Sequence, residues 1–430
     1  MEKNKKKIKL ITFAPHPNFG TCLQAYALNK ILLEMGHDVV FIYNERETPP
    51  VSFSIRIIAK IKSFVRKITP FWWYQKLKGY RDRVNMQRER YSEALNNPYI
   101  LELPNHPILA MIAGIWPGFE IWLRKPNPNI QWKKVLKFMF HDDNFKMKRI
   151  WTHKQYMQIN KETDLYITGS DQIWNPYCGG YNPMMFVEFG ENVRRIAYSS
   201  SISQPSIHPS IHNRMMNALS KFSHIGVRER LSVDILNHEL HRTDVRLVVD
   251  PTYLLTEKQW SAFGKKAEIE FVLPDHYIFC YFVGYRPVFD EMVEEVKKHT
   301  GIKEVIALEC YNRTHVYGNG RLYSDAGPYE WVYLLEHADY ICMDSFHATV
   351  FSLKFKKDFV VAMKNKDEVI GSQNGRMYDL LSRYGLSNKI FTDKKCTTWK
   401  TPINYDEVTP IIDSEIDCSL EFLKKEINGE

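Results

Sequence analysis

The sequence has no CxxC pair, and its seven cysteines are scattered along 430 residues. Disulfide scaffolds and zinc sites need paired or closely spaced cysteines, so this distribution argues against both. Several of these cysteines lie inside apolar runs, where a thiol behaves as a small hydrophobic group. The pattern favours a protein of a reducing compartment.

The sequence also lacks an apolar stretch of about 18 residues, so it predicts no ordinary membrane span. It begins with MEKNKKKIKLITFAP, which is basic and then apolar, like a signal peptide. The apolar part is only about six residues long, and a signal core needs about 7–15. We therefore interpret it as a first β-strand and expect a cytoplasmic protein, or one at the inner face of a membrane.

The composition is 44% hydrophobic and 25% charged, which is typical of a globular chain of two or three domains. Strand and helix patterns alternate over residues 9–43 and return from about residue 164. The alternation pauses near 260–275 and then starts again. This βαβ rhythm predicts parallel sheets with right-handed crossovers. We expect an α/β fold with two Rossmann-like domains, 1–262 and 263–430, the last helices packing back on the first domain.

Residues of about 45–160 break this rhythm, and we interpret them as a largely helical insertion into the first domain. Within it, residues 56–90 hold eleven Lys and Arg against two acidic residues, with the aromatic run FWWY at 71–74. No RNA-recognition signature is present, so we predict no nucleic-acid partner. Peripheral membrane contact through 56–123 is the interpretation we favour, and a solvated basic helix is the alternative.

Polar clusters follow six predicted strands. Because the carboxyl ends of parallel strands meet at one edge of a sheet, we expect these clusters to surround a cleft. They are residues 16–24, 169–175, 199–204, 228–230, 250–252 and 344–349.

The cluster 344–349 separates a strand-like run from a helix-like run. Asp344 or Ser345 is suited to cap the following helix, which places His347 in its first turn. A helix N-terminus favours an anion, and histidine adds a titratable group. A capped helix with an incidental histidine remains the alternative.

The other clusters allow structural and functional interpretations alike. Thr21 and Gln24 fit a capping box, and Gly20 would let a substrate approach the backbone. Asp171 offers a carboxylate after a Gly-Ser turn, and Trp174 either stacks on a sugar ring or packs in the core.

Arg228 and Arg376 are candidates for anion binding, because the guanidinium forms bidentate contacts with phosphate or carboxylate. For Arg228 the alternative is a surface pair with Glu229.

Taken together, these segments resemble the polysaccharide pyruvyl transferase family. The resemblance covers roughly 9–44 and 160–385 and leaves the insertion outside. The segments that carry it are NFGTCLQAYAL (18–28), DLYITGSDQIWNP (164–176), RIAYSSSIS (195–203), GVRERLSVDIL (226–236), VVDPTYLL (248–255) and ADYICMDSFHATVFSLKFKKDFVV (338–361).

The resemblance implies a GT-B-like arrangement of the two domains, the second of which binds the donor. It implies phosphoenolpyruvate as co-substrate. We expect no further cofactor and assign no residue to a metal. The acceptor would be a glycan, often lipid-linked, and the product a pyruvate ketal with release of phosphate.

The resemblance also implies roles for individual residues. His347 would contact the donor phosphate and act as an acid, and Arg228 would bind the donor's anionic groups. Because the reaction also needs a base, Asp171 is our candidate to orient or deprotonate an acceptor hydroxyl. The remaining donor-site candidates are Ser345, Phe346, Arg376 and Ser170, and those of the acceptor site are Asn18, Gly20, Thr21, Gln24 and Trp174.

Two positions depart from the family pattern. Ser345 stands where many members have arginine, so Arg376 or Arg228 would have to supply the cation. Thr21 stands where many have aspartate. Two other functions stay open at this point: a nucleotide-sugar glycosyltransferase of the same architecture, and a non-catalytic glycan- or lipid-binding protein.

Overall fold

The computed structural model describes residues 5–13, 18–43, 130–150, 152–175, 177–178, 181–190, 192–207, 209, 211–284, 286–308, 317–323, 325–367 and 372–429. Most of the predicted insertion, including the stretch 56–123 expected to contact a membrane, lies outside the described residues.

Among the described residues, seven strands form a first sheet, and all neighbouring strands in it are parallel. These strands are β1 Lys7–Ile11, β2 Asp38–Tyr43, β3 Met147–Arg149, β4 Leu165–Thr168, β5 Arg194–Ser200, β6 His224–Val227 and β7 Arg246–Leu247. Their order is β3-β2-β1-β4-β5-β6-β7, so the direction of winding reverses between β1 and β4.

Helices of this half are α1 Phe19–Glu34, α2 Ile130–Phe140, α3 His153–Lys161, α4 His212–Leu219 and α5 Arg230–Leu240. Because β3 pairs with β2, the stretch 147–149 belongs to the first sheet, although it falls within the range assigned to the insertion. The domain limits at 262 and 263 stay a prediction.

A second parallel sheet follows in the described part of the chain, with five strands. They are β8 Ile278–Tyr281, β9 Val305–Leu308, β10 Arg321–Tyr323, β11 Tyr340–Met343 and β12 Asp358–Val361. The order β10-β9-β8-β11-β12 places the reversal between β8 and β11.

Its helices are α6 Glu257–Gly264, α7 Val288–Thr300, α8 Pro328–His337, α9 Phe346–Lys354, α10 Gly375–Arg383 and α11 Tyr405–Asn428. Short 3₁₀ helices occupy Pro251–Tyr253, Tyr317–Asn319, Ser387–Lys389 and Thr398–Lys400.

One continuous hydrophobic core includes residues of both sheets. The ring of Phe19, at the start of α1, lies 6.0 Å from Tyr281 and 6.4 Å from Trp331, centroid to centroid. Trp260 of α6 packs against Phe351 of α9 at 4.7 Å. The prediction of two Rossmann-like domains in a GT-B-like arrangement is confirmed by these two parallel sheets and their shared core.

Two helix starts bear on the predictions from sequence. Ser345 caps α9, since its Oγ accepts a hydrogen bond from Ala348 N, and this confirms one of the two predicted caps. Helix α1 begins at Phe19 after the cap Asn18, so the capping box predicted for Thr21 and Gln24 is wrong. The helix begins earlier than expected, which turns both side chains toward the strand ends instead.

The last helix, α11, packs on the first sheet. Ser419 Oγ accepts a hydrogen bond from Val249 N at 3.0 Å, and the ring of Phe422 lies 6.4 Å from that of Tyr198. An added Cβ at Gly226 would lie 3.1 Å from Phe422, so this strand position has little room for a larger residue. The C-terminal helix therefore packs against the first half of the chain.

We predict that Phe422→Ala destabilises the protein, because truncating a buried phenylalanine costs about 3–5 kcal/mol. The thermal unfolding midpoint, followed by circular dichroism, should fall by several degrees. Lys424→Ala, at an exposed position of the same helix, is the matched control and should leave the midpoint nearly unchanged. Equal midpoints for both variants would contradict the docking of α11.

Candidate active site

The candidate site lies where both sheets reverse their winding. Such reversal points are the usual ligand sites of open parallel sheets, because the loops on either side diverge there. The segments after β1 and β4 meet the segments after β8 and β11 at this place. They enclose a cavity of about 290 Å³. Its described lining residues are Phe13, Asn18, Thr21, Asp171, Gln172, Cys178, Val283, Asp344, Ser345, Phe346, His347, Lys364, Gln373 and Arg376.

The N-terminus of α1 touches His347 of α9. An ideal Cβ placed on Gly20 would lie 2.2 Å from His347 Nδ1, which is closer than any real side-chain contact. Gly20 is therefore required for the approach of the two helix starts. We expected Gly20 to let a substrate approach the backbone, but in the structure it makes room for the imidazole of His347.

The carboxylate of Asp250, just after β7, receives bonds from several donors. Its Oδ1 accepts from Thr252 N at 3.1 Å and Thr252 Oγ1 at 2.7 Å. Its Oδ2 accepts from Arg228 Nη1 at 2.9 Å and Ser170 Oγ at 3.2 Å. His347 Nε2 lies 3.4 Å from the same Oδ2, which is within ion-pair range.

These contacts determine the protonation of Asp250. Burial alone would raise the pKa of Asp250, but the positive charges of His347 and Arg228 and the hydrogen bond from Thr252 lower this pKa well below the ordinary value. The group is therefore a carboxylate at neutral pH.

Arg228 is fully buried among acidic groups rather than at the surface. Its Nε lies 3.2 Å from Glu229 Oε1 and its Nη2 lies 3.7 Å from Asp171 Oδ1, in addition to the Asp250 contact. Its guanidinium also lies 4.1 Å from the ring centre of Phe346. Burial lowers the pKa of Arg228, but Glu229, Asp250 and Asp171 together raise it above its ordinary value.

Arg228 is not among the residues that line the cavity, whereas Phe346, whose ring contacts the Arg228 guanidinium, is one of them. The predicted pair with Glu229 exists, although it is buried. Arg228 is therefore placed to neutralise the buried carboxylates and not to contact a ligand directly.

Asp171 lines the cavity and has a left-handed backbone, with φ of 73°. Its Oδ2 accepts a hydrogen bond from Thr21 Oγ1 at 2.8 Å, and its Oδ1 accepts from Gln172 N at 2.9 Å. Burial raises the pKa of Asp171, but His347, Arg228, Arg376 and the Thr21 bond lower it overall. The side chain is an oriented carboxylate at neutral pH.

Gln24 fixes the loop that carries Asp171. Its Oε1 accepts a hydrogen bond from Ser170 N at 3.0 Å, and its Nε2 donates to Thr12 Oγ1 at 3.1 Å and to Thr21 O at 2.9 Å. Gln24 and Ser170 are fully buried and lie behind the cavity wall. Both therefore position other groups of the site.

Arg376, in the first turn of α10, lies in the cavity wall with different surroundings. Its Nη2 donates to Gln373 Oε1 at 3.2 Å, and its guanidinium lies 5.7 Å from the ring centre of Phe346. No carboxylate of the described residues lies within ion-pair distance of it. Burial and the nearby Arg228 lower the pKa of Arg376, against the smaller opposing effect of Asp171. An anion in the cavity would offset this unfavourable environment.

The structure brings together most of the residues predicted for the site. Those that line the cavity are Asn18, Thr21, Asp171, Ser345, Phe346, His347 and Arg376. Trp174 does not: it is 1% exposed, stacks on Phe186, and donates from Nε1 to Met185 O at 3.3 Å. The packing alternative therefore accounts for Trp174.

Sequence reasoning missed three residues. Asp250 and Glu229 fall in two of the polar clusters after strands, and this signal would have found them. Lys364 lines the cavity from the loop after β12, beyond the last predicted cluster.

Two further features concern the described residues only. They contain no group of three or more His, Cys, Asp or Glu side chains placed to hold a metal ion. None of the helices described here combines the length and apolar character needed to cross a membrane.

Comparison with known proteins identifies the family. The sequence model of the polysaccharide pyruvyl transferases matches residues 18–363, well over half of the chain. The chain belongs to the polysaccharide pyruvyl transferase family. The match includes β1-proximal Asn18, the Asp171 loop, Arg228 and His347. No curated protein matches the chain.

Solved structures of low identity are similar over most of their length. S. aureus MnaA, in a co-structure with UDP, is 10% identical, with 98% of this chain and 97% of that chain covered and a TM-score of 0.46. A glycosyltransferase from Rickettsia africae is 12% identical, with 99% of both chains covered and a TM-score of 0.42. UDP-GlcNAc 2-epimerase from Methanocaldococcus jannaschii is 11% identical, with 95% and 99% covered and a TM-score of 0.38.

We predict that Arg228→Met is strongly destabilising at neutral pH, because it leaves buried carboxylates without their cation. Breaking a buried ion pair in this way costs about 3–5 kcal/mol. The folded-state pKa values of Asp171 and Asp250 lie below those of the unfolded chain. The ionised carboxylates therefore stabilise the folded state fully at pH values above their unfolded-state pKa. This stabilisation is lost as the pH falls through their folded-state pKa values.

The difference in stability between wild type and Arg228→Met should therefore shrink as pH falls toward the carboxylate range. Urea unfolding at a series of pH values measures it. Arg230→Met, at the exposed start of α5, is the control and should show a small difference at every pH. A pH-independent loss in Arg228→Met would contradict the charge network.

Proposed function

We propose that the protein transfers the enolpyruvyl unit of phosphoenolpyruvate to a sugar of a surface polysaccharide precursor and closes it as a pyruvate ketal. Membership of the polysaccharide pyruvyl transferase family supports this reaction. The donor carries a phosphate and a carboxylate, so its site needs cations and hydrogen-bond donors.

The observation that carries the proposal is the environment of Arg376. This arginine lines the cavity without a carboxylate at ion-pair distance among the described residues, whereas the nearby Arg228 is neutralised by its own neighbours. Lys364 and the N-terminal turn of α9 line the same cavity. Ser345 stands where many family members have arginine, and we infer that Arg376 supplies the donor-binding cation in its place. Arg228 would not contact the donor but would hold the buried carboxylates of the site.

The size of the cavity agrees with a small donor. About 290 Å³ is close to the lower end of the usual range for ligand pockets, about 300–1,000 Å³. The space suits phosphoenolpyruvate and the reacting edge of one sugar. The rest of a glycan chain would lie outside.

The reaction begins with proton transfer from His347 to the methylene carbon of phosphoenolpyruvate. The electron pair of the double bond forms the new C–H bond and leaves an oxocarbenium-like centre at the next carbon. A sugar hydroxyl adds there, the bond from carbon to the phosphate oxygen breaks, and a second hydroxyl closes the ketal. Of the two hydroxyl protons, one replaces the proton given by His347 and the other leaves with phosphate.

Asp171 is proposed to orient the attacking hydroxyl. Thr21 Oγ1 donates a hydrogen bond to Asp171 Oδ2 at 2.8 Å. The lowered pKa of Asp171 keeps this carboxylate ionised when the hydroxyl binds. A carboxylate of low pKa is a weak base, but it accepts a hydrogen bond from the hydroxyl and stabilises the positive charge that develops on its oxygen. Asn18 and Thr21, which line the cavity together with Asp171, would contact the acceptor.

A lipid-linked acceptor, reached at a cytoplasmic membrane surface through residues 56–123, belongs to the same proposal. The basic and aromatic composition of those residues supports it.

The direct test is incubation of the purified protein with phosphoenolpyruvate and a panel of lipid-linked glycans. Mass spectrometry should detect a pyruvate ketal on one glycan, and free phosphate should appear only when that glycan is present. Nucleotide sugars, tested in parallel, should neither react nor protect the protein from thermal unfolding. Turnover of a nucleotide sugar in place of phosphoenolpyruvate would overturn the proposal.

We further predict that Arg376→Ala raises the KM for phosphoenolpyruvate by about 10-fold or more, because a hydrogen bond to a charged group contributes about 1.5–3 kcal/mol. The decrease in kcat should be smaller. Steady-state phosphate release measures both constants. Arg246→Ala, at an exposed position on β7, is the matched control. An unchanged KM in Arg376→Ala would assign donor binding to other residues.

A further inference from the structure

The two ring nitrogens of His347 have different neighbours. Nε2 is buried, has no hydrogen-bond partner of good geometry, and lies 3.4 Å from Asp250 Oδ2. The Nδ1 edge lies against Gly20, at the start of α1. His347 is one of the residues that line the cavity.

We propose that Asp250 is a positioning residue that holds His347 with its Nε2–H directed at the carboxylate, so that Nδ1 is the nitrogen that exchanges the proton with the donor. This inference rests on the proposed function and deepens it. It assigns no contact between Asp250 and substrate.

Asp250 is suited to this role because its own position is fixed. Thr252 donates two hydrogen bonds to Oδ1, and Arg228 and Ser170 donate to Oδ2. The carboxylate cannot turn away without losing several of these bonds. Its remaining interaction at Oδ2 is therefore directed at the imidazole.

Other charged groups also face His347. Asp171 and Arg228 approach from the first half of the chain, and Arg376, Lys364 and Asp344 line the cavity in the second half. Asp250 is the carboxylate at ion-pair distance from the imidazole among the described residues. Its removal should therefore affect the orientation of the imidazole more than the loss of any of the others.

The proton balance follows from this orientation. Protonated His347 carries hydrogen on both nitrogens. When Nδ1 gives its proton to the methylene carbon, the neutral ring keeps hydrogen on Nε2, where Asp250 accepts it. The second sugar hydroxyl then returns a proton to Nδ1 as its oxygen closes the ketal. Without Asp250 the neutral ring would also populate the opposite tautomer, whose Nδ1–H cannot take that proton.

The test is a double-mutant cycle of Asp250→Asn and His347→Ala. Asp250→Asn should lower kcat about 10²-fold or more and shift its pH profile, with the KM for phosphoenolpyruvate changed by less than about threefold. In the His347→Ala background, Asp250→Asn should lower kcat no further. Asp358→Asn, the same chemical change at the start of β12, is the control and should leave kcat and its pH profile as in wild type.

Additive losses in kcat, or equal losses in kcat and donor affinity with an unchanged pH profile, would overturn the positioning role. A second readout needs no turnover: the shifts in thermal midpoint caused by Asp250→Asn and His347→Gln should be non-additive in the ligand-free protein. If wild type fails to use phosphoenolpyruvate but this coupling persists, the proposed reaction is wrong and the pairing stands. If turnover is present and the midpoint shifts add, the pairing is wrong.

Discussion

The burial of Asp250 is the constraint on which the site depends. A carboxylate removed from water must be matched by cations and hydrogen-bond donors, or it would be protonated. Arg228 provides the cation, but its own burial needs Glu229 and Asp171 as well. His347 completes the set from the second half of the chain. The strand ends of the first sheet and the start of α9 must therefore assemble together.

The two arginines of the site, Arg228 and Arg376, have different electrostatic surroundings. Arg228 is neutralised within the protein and holds carboxylates in place, whereas Arg376 faces the cavity without such a partner among the described residues. The departure of Ser345 from the family pattern fits this division. Ser345 caps α9, and the guanidinium of Arg376, at the start of α10, lies 5.7 Å from the ring centre of Phe346.

The fold could be predicted well from sequence, because fully buried parallel strands such as β4 and β11 are continuous apolar runs followed by polar residues. The same signal located Asp171, Arg228 and His347. Local patterns could not give the partners of these residues. Thr21 and Gln24 match a capping box by spacing, but their partners are Asp171 and Ser170, about 150 residues away. Lys364 begins the polar run KNKDE at 364–368 after β12, which was not counted among the polar clusters after strands.

The central claim is that a proton is added to the methylene carbon of phosphoenolpyruvate in this cavity, which makes a methyl group of the ketal. The most direct measurement is to run the reaction in D₂O and analyse the ketal by mass spectrometry and NMR. The account predicts one deuterium in the methyl group of the glycan-bound ketal. A product that keeps an intact methylene group, or a methyl group without deuterium, would contradict it.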